Sequence, residues 1–309
     1  MIWRQRSISS VGPSGDRANA GEAGLGYILG MASRPVVLSI AGYDPSSGAG
    51  VTADIKTAAA LGCYAVTCVT ALTIQSTQGV FEVEPVGPEV VRQTLARLAE
   101  DVDFAAVRIG TVGSGAVAEV VAEFLRQYRP PNVVLDPVLR SSSGAELIDV
   151  RGLRIIRGKL LPFCDVATPN MAEAAELAGE DPESLTEDES WESALPRLRL
   201  MAGRIHELGC SRVIVTCGHI QENNDYLSIS ASGRVEEHVF PGTRLKSRAT
   251  HGTGCAFAMA LACELASGSS LGEAVGGAKE FVRKAIEAAY PIGKGTGPMN
   301  HLFGLDEGK

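Results

Sequence analysis

From Pro35 onward the chain alternates short β-branched apolar runs with helix-like stretches, and this alternation most constrains its fold. Residues 36–41 form an apolar run closed by Gly42, followed by a Gly/Ser/Pro loop and a helical stretch over 51–61. Further strand-like runs fall at 64–72, 104–109, 132–136, 165–168 and 212–216, with helical stretches at 88–100, 116–128, 172–178 and 189–208. Residues 226–230 and 235–240 predict a hairpin around Ser232-Gly233, and helices at 254–266 and 271–290 follow. Near-continuous apolar strands separated by helices predict an α/β fold, with a mainly parallel central sheet covered by helices on both faces. No repeat or linker interrupts residues 35–309, so one domain is expected there. The acidic stretch 181–193 predicts a solvated surface loop.

Residues 1–33 differ. They are rich in Gly, Ser, Ala and Arg, without sustained periodicity, and predict either a disordered extension or an upstream start with Met31 as the true one. They lack the apolar core of a secretory signal. The whole chain of 309 residues carries a net charge of -8, which argues against a general nucleic-acid or anionic-membrane binder. No apolar run reaches the length of a membrane span. Seven cysteines without a Cys-x-x-Cys pair, mostly within apolar runs, predict reduced thiols in a cytoplasmic protein. The five histidines show no zinc-binding spacing.

In parallel sheets, ligands gather at the carboxyl ends of the strands. The loops that carry reactive residue types all follow strands. His251-Gly252-Thr253-Gly254-Cys255 precedes an apolar helix, so its backbone N–H groups can converge on an anion, and the helix dipole would favour a thiolate at Cys255. The same pattern also serves as a glycine turn before a buried helix. Gly42 to Gly50 is not a Walker loop, because no Gly-Lys-Ser/Thr follows; Asp54, one turn later, is either a ligand acceptor or an ordinary first-turn carboxylate. Asn170 and Glu173 lie on one side of a helix start, where they could hold Mg²⁺ or simply form a capping box. Gly113-x-Gly115-x-x-Ala118 matches a dinucleotide fingerprint formally, with a tight strand-to-helix turn as the better reading and a nucleotide-cofactor oxidoreductase as the rival.

Taken together, the segments SIAGYDPSSGAGVTADIKT, ALGCYAVTCVTALTIQSTQGV, VRIGTV, VVLDPVL, ATPNMAEAAEL, CGHI, THGTGC and IGKGTGPMNH resemble, in order and spacing, the hydroxymethylpyrimidine/phosphomethylpyrimidine kinases of the ribokinase-like superfamily. The resemblance spans about residues 36–303. It implies ATP- and Mg²⁺-dependent phosphorylation of the hydroxymethyl group of a pyrimidine, then of the monophosphate, in thiamine synthesis. It implies a pyrimidine pocket including Gly42, Asp54, Thr73 and Gln75, and an anion hole at Gly252, Thr253 and Gly254. Cys255 would be the base or polariser of the attacking hydroxyl. Asn170 and Glu173 would organise Mg²⁺ and phosphates, with Thr216 and Gly218 at the ATP phosphates. A homodimer is implied as well.

Two departures stand out. Thr216-Cys217 replaces the lysine expected before Gly218-His219, and Arg140-Ser141-Ser142-Ser143-Gly144 replaces another lysine before Ser-Gly. Arg140 and Lys246 are the replacement cations to test. A pyridoxal kinase and a pyrimidine-sensing pseudokinase are the alternatives to carry forward.

Overall fold

Alternation along each central strand sorts its side chains between two apolar cores. In the computed structural model, which describes residues 34–141, 144–182, 190–218, 220 and 222–305, nine strands form one sheet. They are β1 (Val36–Tyr43), β2 (Tyr64–Ser76), β3 (Gly79–Pro85), β4 (Ala106–Ile109), β5 (Val133–Leu135), β6 (Val166–Ala167), β7 (Arg212–Val215), β8 (Asp225–Ala231) and β9 (Arg234–Phe240), in the order β3-β2-β1-β4-β5-β6-β7-β8-β9. Strands β2, β1, β4, β5, β6 and β7 are parallel, and β3, β8 and β9 are antiparallel additions at the edges.

The helices are α1 (Gly50–Ala60), α2 (Pro88–Asp101), α3 (Gly115–Tyr128), α4 (Val150–Ile155), α5 (Met171–Ala178), α6 (Trp191–Glu207), α7 (Thr253–Ala266) and α8 (Leu271–Glu287). Leu38, Ile40, Val107, Ile109, Val133 and Leu135 point into the core shared with α2, α3, α5 and α6. The intervening Val37, Ala106, Val134 and Ile214 point into the core shared with α1, α7 and α8. The two-residue period therefore fixes which strand residues can reach α7. Helix α7 is apolar all round, as expected of a helix enclosed on most sides, and Ala256 through Cys263 are buried.

The α/β expectation holds, with local corrections. The stretch expected as a loop over 73–79 is the end of β2 and its turn into β3, so Thr73 and Gln75 are strand residues. Their neighbours Leu72, Ile74 and Phe81 are exposed, which removed the inward-facing alternation by which the hairpin would have been read. Helix α4, followed by a π turn at Ile156–Leu160, was not anticipated. Part of the acidic stretch belongs to α6, while residues 183–189 and the extension 1–33 lie outside the described residues. The Ser232-Gly233 hairpin turn is present, with both residues at positive φ. The Gly113–Ala118 segment is a tight turn: Ser114 caps α3 by accepting from Val117 N, and Arg151 packs against Gly115 where a dinucleotide would need open backbone.

Candidate active site

The glycine loop after β1 is shaped by one carboxylate. Asp44 Oδ1 accepts from Ser46 N and Ser46 Oγ, each at 2.7 Å, and Oδ2 accepts from Gly48 N at 3.1 Å and Ala49 N at 2.9 Å. Short acidic side chains commonly organise turns in this way. His251 Nε2 donates to the same Oδ2 at 2.7 Å and joins this loop to the start of α7. The histidine contact and the Ser46 hydrogen bonds hold the Asp44 pKa below its usual value, against the opposing effect of burial. The Gln75 amide lies 3.2 Å from the same histidine nitrogen, and Thr73 Oγ1 lies 3.0 Å from both Gln75 Oε1 and the Tyr43 carbonyl. Asp44 and His251 were not singled out as site residues from sequence. The Asp-Pro-Ser-Ser-Gly pattern of an Asx turn was the available signal.

Gly252 caps α7 with φ 79°, and a Cβ there would overlap the Gly48 carbonyl. Only glycine permits this approach. It leaves the first N–H groups of a 14-residue helix without intrahelical partners, at the positive end of its dipole. Residues Thr250, Thr253 and Gly254 line a cavity of about 990 Å³, together with Asn170, Thr216, Gly218 and Lys246. His251 and Gln75 line a second, smaller pocket of about 80 Å³. The segment 250–254 is thus a wall that borders both compartments, through Thr250, Thr253 and Gly254 on the large one and His251 on the small one, while Gly252, Cys255, Gly42 and Thr73 line neither.

Beneath this wall lies a buried polar cluster. Asp54 is fully enclosed; its Oδ2 accepts from Ser39 Oγ at 2.5 Å and from Arg108 Nη1 at 3.0 Å. It sits under the pocket expected of it and does not line either compartment. Arg108 Nη2 pairs with Asp136 Oδ2. Burial raises both carboxyl pKa values, while the Arg108 charge opposes the rise. Cys255 touches this cluster from above, against Arg108, Asp136 and the Gly50 N–H. The thiolate expected from the helix dipole is corrected here. Burial, with Asp136 and Asp54 nearby, pushes the Cys255 thiol up to about 12, although Arg108 opposes the rise.

Asn170 caps α5 and forms the full capping box with Glu173: Asn170 Oδ1 accepts from Glu173 N, and Glu173 Oε2 accepts from Asn170 N, both at 2.9 Å. Burial and the neighbouring Asp136 charge raise Glu173 to about 8. The capping and ligand readings of this pair are compatible, because a carboxyl held near like charge is where a cation would be welcome. Among the described residues, no three His, Cys, Asp or Glu side chains converge as a metal cage.

Arg140 departs from expectation. Its guanidinium pairs with Glu176 at 3.3 Å and lies outside the large cavity. An exposed arginine with a carboxylate in reach on α5 is satisfied there. Lys246 does line the cavity and has no ion-pair partner among the described residues. Lys279, also on the cavity wall, is tied to Asp225 Oδ2 at 2.6 Å and the Asn223 carbonyl at 2.9 Å.

A helix N-terminus opened by Gly252 borders a cavity of about 990 Å³ at the carboxyl edge of a parallel sheet, an arrangement suited to an anionic small molecule. The phosphomethylpyrimidine kinase family model matches residues 44–300, and the chain belongs to this family. It is 38% identical to the hydroxymethylpyrimidine/phosphomethylpyrimidine kinase of Streptomyces coelicolor, covering 88% of this chain and 96% of that protein. It is 37% identical to the thiamine biosynthesis bifunctional protein ThiED of Geobacter sulfurreducens, covering 89% of this chain but 54% of that protein, so it spans about half of that relative. The fold is similar to that of Bacillus subtilis pyridoxal kinase in complex with ADP, with TM-score 0.75 and 29% identity over 87% of this chain and 98% of that one. Among the described residues, no helix is long and apolar enough to cross a membrane.

Proposed function

We propose that residues 35–309 form a kinase domain that transfers the γ-phosphoryl group of ATP to hydroxymethylpyrimidine, and then to its monophosphate, in thiamine diphosphate synthesis. The observation that carries this reading is the segment 250–254: Thr250, Thr253 and Gly254 border the large cavity, which would take the nucleotide, and His251 borders the small pocket beside Gln75, which would take the pyrimidine. Gln75, held by the Thr73 hydroxyl and with Gly42 on the neighbouring strand β1, would border the pyrimidine side, and Asn170, Thr216 and Gly218 line the phosphate side.

Phosphoryl transfer passes through a loose transition state and depends chiefly on positioning and charge stabilisation. The N–H groups at Gly252, Thr253 and Gly254 would receive the charge that develops on the transferring group. Cys255 remains a thiol at neutral pH and would orient the attacking hydroxyl by hydrogen bonding, without acting as a preformed anionic base. Glu173, backed by Asn170, would hold Mg²⁺ directly or through water. The ion, when bound, neutralises phosphate charge. The exposed Leu72, Ile74 and Phe81 on the β2–β3 hairpin support a homodimer. A cytoplasmic location fits seven free cysteines, six of them buried.

Lys246, one of four basic residues on the cavity wall with Arg244, Lys279 and Arg283, would supply a cation in place of the lysine replaced by Thr216. Lys246→Met is expected to raise KM for ATP about tenfold, the loss of one charge-assisted contact. Arg140→Met should leave it within twofold. Steady-state kinetics with ATP varied decides, and equal effects of the two substitutions would refute the assignment.

The similarity to pyridoxal kinase favours pyridoxal as a second substrate. The test is a mass-spectrometric assay with MgATP and either hydroxymethylpyrimidine or pyridoxal. Pyrimidine monophosphate followed by diphosphate is the expected result. Pyridoxal phosphate alone would overturn the pyrimidine reading, and saturable pyrimidine binding without product would establish a sensor.

A further inference from the structure

We propose that Arg108 is a positioning residue of the transfer site, fixing Asp136 and Cys255 beneath the glycine loop; the inference rests on the kinase reading above. Among the described residues, Arg108 is one of the largest fully buried side chains, at 0% exposure. It stands in a central strand whose other residues are Ala106, Val107 and Ile109. The strand period places it on the α7 side with Ala106, and register sets it beside Ser39 of β1 and Val134 of β5. A charged residue at such a position is rare unless paired.

The guanidinium is used as a fork. Nη1 donates to Asp54 on α1, Nη2 to Asp136 just after β5, and the Cys255 thiol on α7 lies against it. Three elements that border the site are thereby tied to one rigid planar group. Gly110 makes the geometry possible. A Cβ there would stand 2.7 Å from Arg108 Cζ, so the missing side chain lets the fork fold toward the carboxyl edge of the sheet. Asp136 Oδ1 in turn lies 4.0 Å from the position of a Cβ on Gly254, directly below the loop.

Stability alone does not account for this arrangement. Buried ion clusters are often no more stabilising than apolar side chains of the same volume. Arg108 Nε and Asp54 Oδ1 also have no hydrogen-bond partner among the described residues, which works against stability. The arrangement instead places a fixed positive charge one carboxylate away from the loop at Gly254 and holds the Cys255 thiol against it. Within VRIGTV, Arg108 is a charge inside an apolar strand, which is itself a sequence signal of a buried pair.

The test compares Arg108→Lys and Arg108→Gln with the wild-type kinase. Lysine keeps the charge but cannot bridge both carboxylates, so kcat should fall about tenfold. Glutamine should lower kcat by about 10²-fold or more, the loss typical of misplaced or missing electrostatic support. In both, KM for ATP and pyrimidine should stay within threefold. Unchanged kcat, or kcat and KM lost together in proportion to a fall in Tm, would overturn the proposal. If the glutamine variant does not fold, the lysine variant decides by the same split. Absence of turnover in the wild-type protein would sink the kinase reading itself, which separates the two failures.

Discussion

Gly252→Ala should reduce turnover by about 10³-fold and lower Tm by several degrees. The residue sits at φ 79°, where an L side chain is strained by roughly 1–2 kcal/mol. Its new methyl would also overlap the Gly48 carbonyl and stand 3.2 Å from Ala49 Cα. Gly48 cannot yield easily, because its N–H is bound to Asp44 and Asp44 is bound to His251. The loops must therefore separate, and the N–H groups at the start of α7 lose their aim. Misaiming one oxyanion donor costs about 10²–10³ in kcat, and here several move together. Combined strain of about 2–3 kcal/mol would lower Tm by about 4–10 °C. Single-turnover kinetics and calorimetry read both effects, and a kcat within threefold of wild type would remove the loop from the mechanism.

Glu173→Gln separates activity from stability. An unfolded glutamate ionises near 4.5, whereas the native one, buried beside Asp136, does so near 8. Between those values the folded chain holds a proton that the unfolded chain lacks. The resulting stability is complete below pH 4.5, declines as pH rises, and is gone above 8. Glutamine keeps the acceptor for Asn170 N but never ionises, so the variant should gain about 2–6 °C in Tm at pH 8.5 and little at pH 5. Turnover should fall about 10²-fold, with a higher Mg²⁺ requirement. A variant equally active and equally stable across this range would show that Glu173 is only a helix cap.

The fold was legible because strand and helix periods alternate cleanly from residue 36 to 290, and the glycine loops mark strand ends. The hairpin edge at β3 was not, because Leu72, Ile74 and Phe81 face outward and break the buried pattern. Site motifs at 42–50, 170–173 and 251–255 were readable from glycine and cap chemistry. What spacing could not show was depth. Asp54 has the right residue type for a ligand, yet lies under the floor with Arg108. Cys255 occupies a helix start, yet burial with Asp136 and Asp54 nearby pushes its thiol up, against the opposing charge of Arg108. Arg140 is near the site in sequence pattern but is taken by Glu176 in space. Such outcomes are set by neighbours far away along the chain.

The clamp between Asp44 and His251 joins residues 207 positions apart. A nascent chain still short of α7 would already contain every parallel strand of the sheet. Its first glycine loop would nevertheless lack the imidazole that ties it down. Substrate binding should therefore be a late acquisition in synthesis, arriving only after residue 251 has left the ribosome. A stalled fragment would carry a sheet with no competence to bind, its first glycine loop held only by the local hydrogen bonds of Asp44 to Ser46, Gly48 and Ala49.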